Sequence, residues 1–235
     1  MCFSPEASFV VGGALLPAGG YCIAAALRRN RLFLPLGFVP IALGIQQIAE
    51  GFVWLGLYRG DAAQTRAASL MFLFFALAFW PFWWPCIAAV MDPRPGFRRL
   101  FLAITLLATG WFWVLFFPLA LGPDSLLETE VVHHSIHYSY SRLAVYDYVP
   151  RFVLRLLYLL CAIVPMASGQ RSFGRLPALM FLAATIAAAV AFEYAFVSVW
   201  CFFAAVLSAY LCVIFRNMPR LDVPVADAFG SPKTS

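Results

Sequence analysis

Gln46, Gln47 and Glu50 are the residues of this sequence best equipped for chemistry, because they interrupt an otherwise apolar run from Pro40 to Trp54. A carboxylate in hydrocarbon costs about 2.5–3.5 kcal/mol even on lenient insertion scales, so such a group faces a bundle interior, finds partners and by default marks a functional site. On a helix Gln46 and Glu50 stand at i, i+4 and Gln47 and Glu50 at i, i+3, with Trp54 one turn further along, which gives the helix one polar face. The competing use of the same side chains is as glue between helices, through buried hydrogen bonds worth about 0.6 kcal/mol each.

The second group is histidine. All three histidines, His133, His134 and His137, fall in the one long polar segment, residues 122–149. From Val131 to Ser141 polar and apolar residues alternate with period two, and the run is rich in β-branched and aromatic residues, which predicts a short β-hairpin or strand with Ala144 to Tyr148 as partner. On a strand His133 and His137 share a face and His134 points away; on a helix all three gather. His-His-x-x-His is thus a candidate site for zinc or another divalent metal, which takes three or four ligands. The plainer reading is a surface strand whose histidines titrate near neutral pH. No G-x-S-x-G elbow, glycine-rich phosphate loop or H-E-x-x-H sequence is present.

These groups need elements to position them, and composition says which. The 235 residues are 63% hydrophobic and 11% charged, against about 25% charged in a soluble domain. An integral membrane protein is the expectation, all-α, with the lipid bilayer as its main partner. The net charge of +5 sits in short arginine clusters between apolar runs, which fits topology signals and excludes a nucleic-acid partner. Six cysteines form no C-x-x-C pair, so neither a disulfide framework nor a zinc knuckle is implied.

Apolar stretches long enough to cross about 30 Å of hydrocarbon recur at about 8–27, 33–57, 67–91, 100–121 and 152–167, and a longer run splits into 177–192 and 195–215. Seven transmembrane helices make one membrane domain over residues 1–220, followed by a polar tail, 221–235, expected to be disordered. Arginines test the count. Arg28, Arg29, Arg31, Arg94, Arg98, Arg99, Arg171, Arg175, Arg216 and Arg220 fall on one side, and Arg59, Arg66, Arg142, Arg151 and Arg155 on the other. That asymmetry puts the N-terminus outside and the C-terminus in the cytoplasm. Prolines within the spans, including Pro17, Pro81, Pro118 and Pro165, predict kinks.

With this topology Glu50 lies roughly 12 Å below the outer end of span two, at 1.5 Å per residue. Glu193, Tyr194, Asp147 and the histidine strand belong to the same side. The expected pocket therefore comprises Gln46, Gln47, Glu50, Trp54, Glu193, Tyr194 and Asp147, facing outward under a short β segment between spans four and five.

Three stretches, Met1 to Phe9, Gly44 to Trp54 and Phe196 to Ala205, together resemble a family of uncharacterised small bacterial multi-span membrane proteins that open Met-Cys-Phe-Ser. The resemblance covers most of the chain and implies a location in the bacterial inner membrane; it carries no activity. A looser likeness is to seven-span membrane hydrolases related to alkaline ceramidases, whose zinc ligands are distributed over several spans, whereas the histidines here sit in one outer segment. The function expected is binding of a small ligand, ion or lipid headgroup, as a sensor, carrier or accessory subunit. A membrane-embedded metal-dependent hydrolase is the alternative, and a structural partner subunit without a ligand the second.

Overall fold

The computed structural model describes residues 4–132, 135–168 and 196–217. Helix α1 (Pro5–Arg29) begins where the Ser4 hydroxyl accepts from the Ala7 N–H at 3.3 Å, with Pro5 in the first turn. Asn30 ends it, and its side chain accepts from Leu32 N–H at 3.0 Å to start a short helical turn leading to α2 (Val39–Arg59). Gly60, at φ 66°, closes α2 in the left-handed conformation, and Asp61 at once caps α3 (Ala62–Met91) through Gln64 N–H at 2.9 Å. The tight Gly60-Asp61 link makes α2 and α3 antiparallel neighbours. A proline-flanked turn at Asp92 leads to α4 (Pro95–Leu121).

These four helices, counting Arg31–Arg59 as one, are long and apolar enough to cross a membrane, and they coincide with the first four expected spans. Helices α6 (Arg151–Ser168) and α7 (Phe196–Asn217) coincide with the expected fifth and seventh. The expected sixth span, 177–192, and the tail, 221–235, lie outside the described residues.

Backbones approach closely between α1 and α2. A Cβ on Gly19 would stand 2.8 Å from Ile41 N, one on Gly12 would stand 3.0 Å from Gly44 O, and one on Gly44 would stand 3.1 Å from Gly12 O. Where lipid removes the hydrophobic drive between helices, contact of this kind through small residues is what holds them together. The seam continues as a core of Cys22, Leu36, Leu43, Trp80, Trp84, Ala162, Leu211 and Phe215. At the far end of the seam Arg29 Nη1 donates to Arg216 O at 2.8 Å, so two arginine-bearing helix ends meet, opposite the end that holds Ser8 and Glu50.

Two of the expected proline kinks take a specific form. Residues Phe74–Phe79 in α3 and Phe112–Phe116 in α4 are π-helical, with Trp80 N–H reaching Phe75 O and Phe117 N–H reaching Phe112 O. Pro81 lacks the N–H that would reach the Leu77 carbonyl, and Pro118 the one that would reach Val114. Both carbonyls fall within the widened turns, so each helix expands by one residue just ahead of its proline.

After α4 come β1 (Glu128–Val132) and β2 (Ser135–Ser139), antiparallel with Glu128 opposite Ser139 and Val132 opposite Ser135. The expected alternation is present, but it spans two strands rather than one from Val131 to Ser141, and positions 133 and 134 between them lie outside the described residues. Ala144 to Tyr148 is not the partner: Val145–Tyr148 forms one helical turn, α5. The partner is the upstream strand β1, and the inward face of the hairpin, Ile136 and Tyr138, packs on Val53, Trp54 and Ala68. Tyr138 stacks flat on Phe72, with centroids 4.9 Å apart and planes at 8°.

Candidate functional site

Glu50 is completely buried. Its Oε2 accepts from Gln47 Nε2 at 3.2 Å, one turn back on α2, and from Ser8 Oγ at 3.4 Å on α1. The glycine seam produces the second contact, because helices that touch at Gly12 and Gly44 bring a short side chain one turn away within reach of the carboxylate. Both donors are neutral. Each such bond to a charged acceptor contributes about 1.5–3 kcal/mol, which is of the order of the insertion cost of the carboxylate.

Tyr138, on the hairpin, lies near enough to Glu50 to feel its charge. Its hydroxyl is buried and has no hydrogen-bond partner among the described residues. Burial, and after it the negative Glu50 carboxylate, push the phenol well above its ordinary range. Trp54 is likewise buried in the Ile136 cluster, its ring tilted on Tyr58 at 5.6 Å and its Nε1–H unpartnered among the described residues. A buried N–H or O–H left unmade costs about 1–3 kcal/mol.

Gln46 plays a different part. Its Oε1 accepts from Trp80 Nε1 at 2.8 Å, which ties α2 to α3. The i, i+4 spacing puts Gln46 near Glu50, but the tryptophan on the neighbouring helix takes its carbonyl.

Asp147 is exposed on α5. Glu193, Tyr194, His133 and His134 lie outside the described residues. His137 is half exposed, and its Nδ1 stands 3.4 Å from Glu130 Oε1, its cross-strand neighbour. Among the described residues no three His, Cys, Asp or Glu side chains come together as a metal site.

Three residues of the site were not foreseen. Ser8 could have been found from the small-residue face it shares with Gly12 and Gly19, and Tyr138 from its place beside Ile136 on the apolar side of the alternation. For Trp80 there was no signal beyond its being one tryptophan among several.

Comparison with curated proteins and with solved structures finds no match for the chain. A family match covers residues 1–225, so the Glu50 centre and the hairpin fall within it, and the chain belongs to the family of unknown function DUF6629.

Proposed function

We propose that this chain is a multi-pass protein of the bacterial inner membrane, with seven spans, an outer N-terminus and a cytoplasmic C-terminus, and that its Glu50 centre binds a small ligand or ion entering from the hairpin end. A cation suits the site best. The carboxylate of Glu50, the hydroxyls of Ser8 and Tyr138 and the amide of Gln47 offer oxygen donors of the kind hard cations prefer. The observation that carries the reading is the complete burial of Glu50, whose carboxyl accepts from Ser8 on α1 and from Gln47 on its own helix and whose charge is felt by Tyr138 on the hairpin. Such a centre serves a sensor, a carrier or an accessory subunit alike.

The test is thermal unfolding of the purified protein in detergent against a panel of sodium, potassium, magnesium, calcium and zinc salts. At least one cation should raise the melting temperature of the native chain and leave Glu50→Gln unmoved, while the two melt alike without ligand. Stabilisation that survives Glu50→Gln would refute the assignment of the site.

A further inference from the structure

Five arginines occupy the hairpin end of the described bundle, and three are accounted for by their surroundings. Arg66 Nε meets Asp124 Oδ1 at 2.8 Å, Arg142 Nη2 meets Glu128 Oε1 at 3.0 Å, and Arg59 sits in the last turn of α2, where the helix dipole favours a cation. Arg151 and Arg155 are not. They stand one turn apart on α6, both exposed, in the first turns of a helix where the dipole disfavours positive charge, and neither has an ion-pair partner among the described residues.

Their surroundings are aromatic and apolar. The Arg151 guanidinium lies 4.9 Å over the Tyr146 ring, and among the described residues Arg151 Nη2 donates to Ser141 O alone, at 3.5 Å. Tyr140 stacks beside Tyr146 with centroids 6.4 Å apart. Both guanidiniums are felt by both phenols, each of which burial pushes up and the arginines pull back. Beside the pair on the helix, Phe152 and Leu156 are 69% and 53% exposed and begin the apolar surface of α6.

We propose that Arg151 and Arg155 hold the phosphate of an acidic phospholipid headgroup, with the acyl chains lying along the exposed face of α6. Side chains at i, i+4 stand about 6 Å apart, a separation that lets two guanidiniums bracket one phosphate. The rigid Tyr146 ring positions one of them, and the adjoining apolar surface argues for a lipid over a free anion. The inference rests on the membrane reading but is independent of the Glu50 centre, which it leaves untouched.

The experiment compares melting temperatures of the full chain in neutral detergent with added phosphatidylglycerol, phosphatidylcholine or inorganic phosphate. Phosphatidylglycerol should raise the midpoint by several degrees, phosphatidylcholine by less and inorganic phosphate not at all, and 0.5 M salt should weaken the effect. The shift should vanish in Arg151→Gln/Arg155→Gln and persist in Arg98→Gln/Arg99→Gln at the opposite end. Arg155→Gln alone removes no hydrogen bond among the described residues, so its native melting temperature should stay close to that of the unmodified chain, and it should retain clearly less phosphatidylglycerol by native mass spectrometry. No response of the native chain, an undiminished response in the Arg151/Arg155 variants, equal loss in the Arg98/Arg99 control, or an equal effect of inorganic phosphate would each overturn the proposal.

Discussion

Ser8 on α1 donates to Glu50 on α2 across 42 positions of sequence, at 3.4 Å, in a place from which water is shut out. The contact couples helix packing to the chemistry of the site. Ser8→Ala removes a donor to a buried carboxylate and should lower stability by about 1–2 kcal/mol. In a cycle with Glu50→Gln the coupling energy should exceed about 0.5 kcal/mol, measured by unfolding in mixed micelles; additive effects would mean that the two side chains do not interact.

Glycines along α1 give a paired test of the seam. A Cβ on Gly12 or Gly19 meets α2 at 2.7 Å (Ile48 Cγ1) and 2.8 Å (Ile41 N) respectively, while Gly13 and Gly20 have nothing within 4 Å. Gly19→Ala should therefore destabilise by about 1–3 kcal/mol, since backbone must move. Gly20→Ala should stabilise by up to about 1 kcal/mol through helix propensity alone. Opposite signs at adjacent positions, read from melting curves, are the expected result.

The opposite end of the bundle carries a pH dependence. Asp92 accepts from Arg94 Nη2 at 2.6 Å, Nε at 3.0 Å and the Arg94 N–H at 2.9 Å, and the guanidinium hydrogen bond holds its carboxyl below the ordinary carboxylate range. A pKa lowered on folding contributes stability that is full above the unfolded value, about 3.9, and is lost as pH falls through the folded value. Between pH 5 and pH 3 the native chain should lose melting temperature faster than Asp92→Asn, and the two curves should converge at the acid end.

Much of this architecture is legible before any coordinates, for a physical reason: the hydrocarbon thickness imposes a helix length, so the first four spans are marked by their apolar runs alone. Glu50 is legible because one carboxylate in such a run is costly wherever it points. Its partners are not, since Ser8 is recruited by the approach of two glycine faces, and Tyr138 by a hairpin folding back over α3. The period-two pattern announces strands but is blind to where the chain reverses, and hence β1 and β2 read as one. Likewise Pro81 and Pro118 foretell a disturbance without saying that it is a π turn, because that choice depends on which carbonyls neighbouring groups can satisfy.

Tyr138→Phe separates a packing role from a ligand role most cleanly. The ring stacks on Phe72 at 4.9 Å, and phenylalanine keeps that contact, so only the hydroxyl is removed. That hydroxyl is buried and unpartnered among the described residues, so if Tyr138 is simply part of the core its loss should stabilise the protein by about 1 kcal/mol, and no ligand response should change. If it closes the Glu50 centre over a bound cation, the empty protein should be stabilised as before, while the cation that raises the melting temperature of the native chain binds at least tenfold more weakly. The tenfold loss corresponds to about 1.4 kcal/mol, the size of one hydrogen bond or ligand contact, and is readily resolved by titrating the shift. Unchanged affinity would remove Tyr138 from the site.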